Sequence, residues 1–322
     1  MSGSEANLRP LRRRRLPGTD LEVTPVCAGG AVLASLPRAF GYEVPEERAL
    51  ATIRAVLAGP LNFLDTSASY GLGESERRIG VVLRELGGLP AGFVLSTKVD
   101  PDPETKDFSG EQALRSVEQS LGRLGLDRLQ LLHLHDPERI PFEVAMAPRG
   151  PVEAMLRLQR EGVVRHLGVA GGPVDLLRRF VETGAFQVVL THNRYTLVDR
   201  SAGPLIEEAR RAGVGVLNAA PYGGGILAKG PATVRTYAYR EVSEMLRERI
   251  ERASRLCEVS GLPLRRVALR FSVRDARIGA TVVGLSRPER VGELAAELGA
   301  PVPEPLWEAL DRELQPAGGW PG

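Results

Sequence analysis

Cysteine is scarce in this 322-residue chain, which contains only Cys27 and Cys257. Two cysteines cannot build a disulfide framework, and no Cys-x-x-Cys pair is present to hold zinc. This scarcity predicts a reduced, cytoplasmic protein. An excess of positive charge is also absent, because 42 basic and 40 acidic residues leave a net charge of only +2. A nucleic-acid binder needs such an excess to replace the counterions of the phosphates, so we expect no nucleic-acid partner.

Long apolar runs are missing as well. No uncharged apolar stretch approaches the roughly 18–20 residues that span a bilayer, so we expect no membrane partner. The charged segment 1–15 lacks the apolar core of a signal peptide. Glycine and proline are abundant by contrast, with 36 and 24 residues scattered along the chain. Their scattering indicates many tight connections within a globular protein.

Short apolar segments alternate with longer amphipathic ones. The predicted strands are Val23–Ala28, Leu61–Asp65, Phe93–Thr97, Leu129–His135, Val164–Val169, Val188–Thr191, Val214–Asn218 and Ala280–Val283. The predicted helices are Glu46–Leu57, Ser75–Leu86, Ser109–Leu124, Pro151–Arg160, Pro173–Glu182, Ser201–Ala212, Glu241–Val259 and Arg287–Leu298. This repeated unit imposes parallel pairing, because a parallel strand must return past a helix. Both a (β/α)8 barrel and a doubly wound open sheet fit the alternation.

A Rossmann glycine fingerprint would favour the open sheet, but the segment from Gly71 to Glu76 lacks its third glycine. We therefore predict a (β/α)8 TIM barrel, as one domain over residues 1–322. A hairpin at Leu16–Val23 precedes the barrel, and Ala219–Tyr239 forms a long loop on the face where the strands end. Residues 1–14 are expected to be a flexible arm and residues 315–322 a flexible tail.

Chemically active side chains follow three consecutive predicted strands. The second strand ends in Asp65, with Tyr70 in the loop behind it, and the third ends at Lys98. The fourth ends at His135, with His133 on the same face. Each residue alone has an ordinary structural explanation. Their coincidence at matching strand ends favours an active site, because barrel enzymes place their chemistry there.

Proton transfer is the chemistry that such a set supports. A free tyrosine has a pKa of about 10, which a neighbouring lysine lowers, and a carboxylate behind the lysine orients it. An imidazole opposite can hydrogen-bond the substrate oxygen and fix its position. No nucleophile–base pair is evident, and the four histidines show no metal-ligand spacing, so we expect no metal. Acid–base chemistry without a nucleophile or a metal points to a cofactor that carries the electrons.

Several motifs resemble the aldo-keto reductase superfamily over nearly the whole chain. They are Asn62 to Gly71, Gly73-Glu74-Ser75-Glu76, Ser96-Thr97-Lys98, and Gly125-Leu126-Asp127 through Leu134-His135. The resemblance implies a catalytic tetrad in which Tyr70 donates or accepts the proton; its members are Asp65, Tyr70, Lys98 and His135. It selects His135 over His133. It also implies that NADP or NAD binds in an extended groove at the strand ends, without a Rossmann domain.

One branch is most similar, the sugar 1-dehydrogenases (L-fucose, D-threo-aldose) with the related pyridoxal 4-dehydrogenase. The motifs that carry this likeness are His135-Asp136-Pro137, Asn193 to Leu197 and Pro221 to Leu227. The likeness implies oxidation of a sugar hemiacetal at C1 to a lactone, or the reverse reduction of a carbonyl. The partner of the protein would be a small carbonyl, sugar or alcohol substrate. The protein itself would be a monomer or a weak homo-oligomer. The alternatives are an NADPH-dependent ketone or aldehyde reductase of secondary metabolism, and a cofactor-binding relative without turnover.

The cofactor site departs from the family pattern. Ala170-Gly171 replace the Ser-Asn pair that usually binds the nicotinamide carboxamide, and Val189 replaces the usual Gln. Ala219 replaces the aromatic residue that usually stacks on the nicotinamide ring. We therefore expect His192 or Asn193 to hold the carboxamide. The predicted cofactor-binding residues are Gly30, Asp65, His192, Asn193, Pro221, Tyr222, Gly223, Gly284, Ser286, Arg287 and Arg290. A helix N-terminus favours phosphate, and the resemblance places Arg290 and Arg287 near an adenosine 2′-phosphate. Gly284 replaces the family's usual Lys, and Leu294 replaces its usual Asn. The choice between NAD and NADP as the cofactor therefore stays open.

Aromatic residues that could wall a substrate pocket are few. Phe40 and Tyr42 follow the first strand, and Trp307 and Trp320 lie near the C-terminus. Core packing or surface exposure explains each of them equally well.

Overall fold

Eight parallel strands close into a barrel in the computed structural model, which describes residues 11–238 and 240–315. They are β1 (Val26–Gly29), β2 (Phe63–Asp65), β3 (Val94–Val99), β4 (Leu129–His135), β5 (Val164–Gly171), β6 (Val188–His192), β7 (Gly215–Ala219) and β8 (Ala280–Gly284). β8 pairs with both β7 and β1, which closes the ring. The predicted (β/α)8 barrel is confirmed, and the open sheet is excluded.

Helices separate the strands and cover the barrel. They are α1 (Glu46–Ala58), α2 (Glu74–Glu85), α3 (Gly110–Leu124), α4 (Pro151–Arg160), α5 (Val174–Glu182), α6 (Gly203–Arg211), α7 (Glu244–Val259), α8 (Leu264–Arg274), α9 (Glu289–Gly299) and α10 (Glu304–Leu314). Short helical segments are Ala31–Ala34, Pro37–Phe40, Pro137–Arg139, Phe142–Met146, Gly223–Gly225 and Ile226–Lys229. The sequence pattern missed α8 and α10, and eight of the ten longer helices were predicted within a few residues. No helix in the described ranges is long and apolar enough to cross a membrane.

A hairpin closes the end of the barrel where the strands begin. Arg14–Arg15 pairs antiparallel with Glu22–Val23, so the first barrel strand starts at Val26 and not at Val23. Leu16, at the start of the turn, is fully buried against the side chains inside the barrel. Arg14 belongs to this hairpin and not to a free arm, and its Nε donates to the Gly279 carbonyl oxygen at 2.8 Å. Residues 1–10 and 316–322, including Trp320, lie outside the described residues.

Side chains alternate along each strand between the barrel interior and the helix layer. The interior cluster includes Cys27, Phe63, Leu131 and Val188, whereas their neighbours in sequence pack against the helices. The two-residue period of a strand therefore points Asp65, Lys98 and His135 inwards as well.

Two predicted helix starts behave differently. Ser109 caps α3, and its Oγ accepts a hydrogen bond from the Gln112 amide at 3.3 Å. Ser75 is not a cap, because α2 already begins at Glu74. The Ser75 hydroxyl is buried instead and donates to the Gly30 carbonyl oxygen at 2.9 Å. It thereby ties the loop after β1 to the loop after β2, beside the candidate site.

Candidate active site

A tight turn after β2 places Tyr70 at the barrel mouth. Gly71, Leu72 and Gly73 all have positive φ, at 62°, 55° and 92°. A Cβ at Gly71 would lie 2.8 Å from the Cβ of Ala34, so glycine is required there for space as well as for backbone conformation. The turn brings the Tyr70 ring to 4.8 Å from the Lys98 Nζ.

Lys98 and Asp65 form a buried ion pair beneath Tyr70. The Lys98 Nζ donates to Asp65 Oδ2 at 2.5 Å and to the Thr66 carbonyl oxygen at 2.6 Å. The second oxygen of Asp65 accepts from the Ser96 hydroxyl at 2.7 Å. Burial disfavours the ammonium, but Asp65 and Tyr70 hold the pKa of Lys98 above its ordinary value. The lysine is therefore a fixed positive charge.

Tyr70 is protonated in the resting site. Burial raises the pKa of Tyr70 to about 12, and the charge of Lys98 offsets that only in part. The side chain nevertheless retains some exposure to solvent, so a small molecule can reach it from the mouth. The predicted lowering of this pKa by Lys98 is thus present but is not the dominant effect.

His135 faces Tyr70 and is held from behind by Asp100. The two rings meet edge to face, with centroids 5.7 Å apart. The His135 Nδ1 lies 2.7 Å from Asp100 Oδ1, and both residues are buried. Our sequence interpretation missed Asp100. The signal was available, because Asp100 follows Lys98 by two residues and so lies on the same side of the strand.

His133, the second candidate histidine, lies deeper in the barrel. It is fully buried, and neither ring nitrogen has a hydrogen-bond partner among the described residues. The His133 ring fits because Gly168 on β5 has no side chain; a Cβ there would lie 2.6 Å from the ring Cε1. Burial lowers the pKa of His133 to about 3, so the ring is neutral at physiological pH.

The rim formed by β5 and β6 is where the sequence departs from the family pattern. Ala170 faces the barrel interior, and a Cβ on Gly171 would lie 3.0 Å from Glu138 Oε2. A Cβ on the following Gly172 would lie 3.3 Å from the His192 ring. Because Gly171 and Gly172 have no side chains, the Glu138 carboxylate and the His192 ring lie close to the backbone at this rim.

Val189 does not face this rim. It packs in the outer layer against the helices, whereas Leu190 belongs to the interior cluster. A residue at position 189 therefore points away from the barrel interior, whatever side chain it carries. By strand alternation, the inward positions of β6 are Val188, Leu190 and His192.

Asn193 has the clearest unused polar group of the predicted cofactor residues. Its backbone is left-handed, with φ at 60°, and its buried Oδ1 has no partner in the described part of the chain. Its Nδ2 contacts His192 Nδ1 at 3.2 Å, and its carbonyl oxygen accepts from the Tyr237 hydroxyl at 3.0 Å. A buried acceptor without a partner suits a ligand with an N–H or O–H group.

The remaining predicted residues lie around β1, β7 and β8. The Gly30 amide donates to the Asp65 carbonyl oxygen at 2.7 Å, so Gly30 packs β1 closely against β2. Pro221 and Gly223 are buried, and Tyr222 packs against the helix layer. Gly284 is exposed and Ser286 partly exposed at the end of β8.

The two predicted phosphate-binding arginines already have acidic partners. Arg290 is 15% exposed and pairs with Glu293 at 2.8 Å and with Glu297 at 3.2 Å. Arg287 is more exposed and pairs with Glu293 at 2.8 Å. The positive charge at this end is therefore largely neutralised within the protein.

The aromatic candidates separate into two groups. Trp307 is buried in the helix layer under the guanidinium of Arg274, so it is not part of a pocket at the barrel mouth. Phe40 and Tyr42 are at least partly exposed, and the Lys229 ammonium lies 5.3 Å from the Tyr42 ring. That contact joins the loop after β1 to the loop after β7.

A family model described as the aldo/keto reductase family matches residues 25–312. The chain belongs to this family. It is 30% identical to a D-threo-aldose 1-dehydrogenase from Pseudomonas sp. over 88% of this chain and 91% of that protein. It is 31% identical to an L-galactose dehydrogenase from Arabidopsis thaliana, covering 88% and 86% of the two chains. The predicted likeness to the sugar 1-dehydrogenase branch is confirmed.

Solved structures agree with the fold of this aldo-keto reductase. The holo form of a Bacillus halodurans aldo-keto reductase superposes with a TM-score of 0.75 at 21% identity, covering 96% of this chain and 98% of that one. The family match and the two dehydrogenase relatives show that the protein is an oxidoreductase that uses NAD or NADP.

Proposed function

We propose that this enzyme oxidises a small sugar or related alcohol at C1, converting a hemiacetal hydroxyl into a lactone, with Tyr70 as the group that exchanges the proton. The observation that carries the proposal is the convergence of Tyr70, Lys98 and His135 at one end of a closed barrel. Similarity to two sugar dehydrogenases supports the substrate class.

Each side chain has a task that its surroundings support. Lys98, charged and held by Asp65, stabilises negative charge that develops on the Tyr70 oxygen. His135 binds the substrate oxygen and orients the reacting carbon. A bound nicotinamide cofactor would supply the hydride acceptor for oxidation, or the hydride for the reverse reduction.

The rim of β5 and β6 fits the carboxamide of a nicotinamide cofactor. A carboxamide offers an N–H2 donor and a carbonyl acceptor. The Glu138 carboxylate and the unpartnered Asn193 Oδ1 can accept, and the His192 ring can donate. We assign these three residues to the role that the family gives to its Ser, Asn and Gln.

Assays with substrate test the proposal directly. Incubating the protein with NAD⁺ or NADP⁺ and a panel of aldoses should give aldose-dependent reduced cofactor, measured by absorbance, and the matching lactone, measured by NMR. Binding of NADH and NADPH, measured by fluorescence titration, accompanies the assay. The sugar substrate class is rejected if both cofactors bind but no aldose is oxidised. The catalytic proposal itself is rejected if neither cofactor binds.

The acidic partners of Arg290 predict a preference for NADH over NADPH. A 2′-phosphate would have to compete with Glu293 and Glu297 for the guanidinium, at a cost in Coulomb energy. Replacing Glu293→Gln removes the 2.8 Å acidic partner that Arg287 and Arg290 share, and we expect the ratio of the NADPH and NADH dissociation constants to fall about tenfold. Glu289→Gln, which removes only a 3.7 Å pair with Arg287, is the matched control and should change the ratio much less. An unchanged ratio in the Glu293→Gln variant would exclude this arrangement.

A further inference from the structure

Asp136, the residue that follows His135 at the end of β4, has an unusual backbone conformation. Its φ is 42° and its ψ is 60°, in the left-handed region. Residues other than glycine seldom adopt this conformation, and a residue before a proline such as Pro137 is normally extended. The Asp136 amide donates to the Ala170 carbonyl oxygen on β5 at 2.7 Å, which holds the backbone in place. Strained backbone of this kind at a barrel mouth points to a functional side chain.

The carboxylate of Asp136 does not cap the helical turn that it precedes. An aspartate before such a turn normally accepts from a free amide, but the side chain of Asp136 makes no such bond to Pro137–Arg139. Its Oδ2 accepts from Arg139 Nη2 at 2.8 Å. Its Oδ1 accepts no hydrogen bond from the residues that the structure describes. Because the side chain is 25% exposed, Oδ1 is an acceptor that a ligand can reach.

This free oxygen lies beside the nitrogen of His135 that faces the substrate. Asp100 occupies the ring nitrogen Nδ1 at 2.7 Å, so Nε2 is left to bind the reacting oxygen in the proposed function. The distance from Nε2 to Asp136 Oδ1 is 3.7 Å, which is too long for a direct hydrogen bond. Two oxygens on neighbouring carbons of one molecule can fill this gap, the reacting oxygen at Nε2 and the second at Oδ1.

A carboxylate oxygen selects the second group by its chemistry. It can only accept a hydrogen bond, so it favours a hydroxyl, which can donate one. It opposes a carbonyl or phosphate oxygen at the same place, because neither has a proton to donate. A hydrogen bond to a charged acceptor is also stronger than one between neutral groups.

We propose that Asp136 is a specificity-determining residue whose Oδ1 accepts a hydrogen bond from the hydroxyl on the carbon next to the reacting carbon. The substrates are then aldoses and hydroxyaldehydes with a free hydroxyl at C2, and their 2-deoxy counterparts are poor substrates. Arg139 orients the carboxylate by holding its other oxygen. This inference rests on the proposed function and narrows its substrate class.

Glu138, the other carboxylate of this loop, faces a different part of the site. A Cβ on Gly171 would lie 3.0 Å from its Oε2, and a Cβ on Gly172 would lie 3.8 Å from its Oε1. Glu138 therefore faces the rim of β5 and β6, where we assign it to the carboxamide of the cofactor. Asp136 is the carboxylate beside the reacting oxygen.

Two variants of Asp136 suit its left-handed backbone and should fold. Asp136→Gly removes the carboxylate, and glycine adopts positive φ without strain. Asp136→Asn keeps the shape of the side chain, and asparagine tolerates positive φ. Because Arg139 holds the amide oxygen, the NH2 group of the asparagine faces the substrate and offers only a neutral hydrogen bond in the opposite direction.

The test compares substrates that differ only in the second hydroxyl. kcat/KM is measured for an aldose and its 2-deoxy analogue with NAD⁺, and for 2-hydroxypropanal and propanal with NADH. Since the hydroxyl also changes intrinsic reactivity, the quantity to compare is the ratio within each pair, in wild type and variant. We expect this ratio to fall about 10–100-fold in Asp136→Gly, because a hydrogen bond to a charged group is lost, and about tenfold in Asp136→Asn.

The deoxy substrates separate this role from a structural one. Their kcat/KM and the NADH dissociation constant should change less than about threefold in both variants, whereas damage to the site would slow every substrate equally. Asp102→Asn is the matched control, since its exposed carboxylate accepts only from Glu104 and Thr105 in its own turn. It should leave both ratios unchanged.

The possible outcomes distinguish this inference from the proposed function. The inference is overturned if both ratios stay at their wild-type values in folded Asp136→Gly, if all substrates lose rate equally, or if the wild type turns over neither pair. If the aldose is not oxidised but the ratio for 2-hydroxypropanal and propanal falls in the variants, the inference stands and the proposed sugar oxidation alone fails.

Discussion

Replacing Tyr70→Phe should lower turnover about 10²–10⁴-fold, because it removes the hydroxyl, close to Lys98, that we propose exchanges a proton with the substrate oxygen. The phenyl ring keeps the packing of the tyrosine, so the fold and the dissociation constants of NADH and NADPH should change little. Steady-state kinetics and fluorescence titration measure the two quantities separately. Retention of turnover would remove Tyr70 from the mechanism.

Tyr195→Phe is the matched control for this variant. Tyr195 is also buried, and its hydroxyl donates to Asp275 at 2.6 Å, in the layer between the barrel and α8. Its loss should cost about 1–2 kcal/mol of unfolding free energy and leave kcat almost unchanged. A fall in kcat for both variants would indicate that the effect of Tyr70→Phe is general damage to the fold.

Replacing Gly80→Ala should destabilise the protein by about 3 kcal/mol. Gly80 lies in α2 where that helix crosses the end of α3, and a Cβ there would overlap the Arg123 carbonyl oxygen and lie 3.0 Å from the Leu124 Cα. These are backbone atoms, so relief requires the two helices to separate. Chemical unfolding of the variant measures the loss.

The same helix pair supplies the control, Gly122→Ala in α3. Nothing lies within 4 Å of a Cβ at Gly122, so alanine is accommodated without strain. Alanine restricts the unfolded chain and favours the helix, and we expect a gain of about 0.5–1 kcal/mol. Equal effects of the two substitutions would show that the contact at Gly80 does not hold the helices together.

The alternation of strands and helices carried most of the fold prediction. Leu129–His135 was predicted with its observed bounds, and the hairpin around Leu16 was found from its turn residues. Helix α8 escaped because its apolar residues are interrupted by Arg265, Arg266 and Arg270, of which Arg270 donates to the Leu298 carbonyl oxygen and Arg265 pairs with the buried Glu297. Local pattern alone cannot reveal such shared burial.

The candidate site was predicted in part. The spacing of Asp65, Lys98 and His135 at strand ends brought the right side chains to one mouth, because neighbouring parallel strands end together. Asp100 was missed although it shares the inward side of β3. The comparison of motifs matched Val189 to the usual Gln without indicating which face of β6 it occupies, and the structure places it in the outer layer.

By itself, the sequence determined the alternation of strands and helices and the identity of the side chains at the strand ends, since hydrophobic periodicity is a local property. The scarcity of cysteine and of net charge excluded other classes of protein without indicating a function. Only the tertiary structure decided that Arg290 is already paired, that the buried His133 ring has no hydrogen-bond partner among the described residues, and that Asp100 lies 2.7 Å from His135 Nδ1. These properties depend on distances of a few ångströms between residues far apart in the chain, which no local pattern encodes.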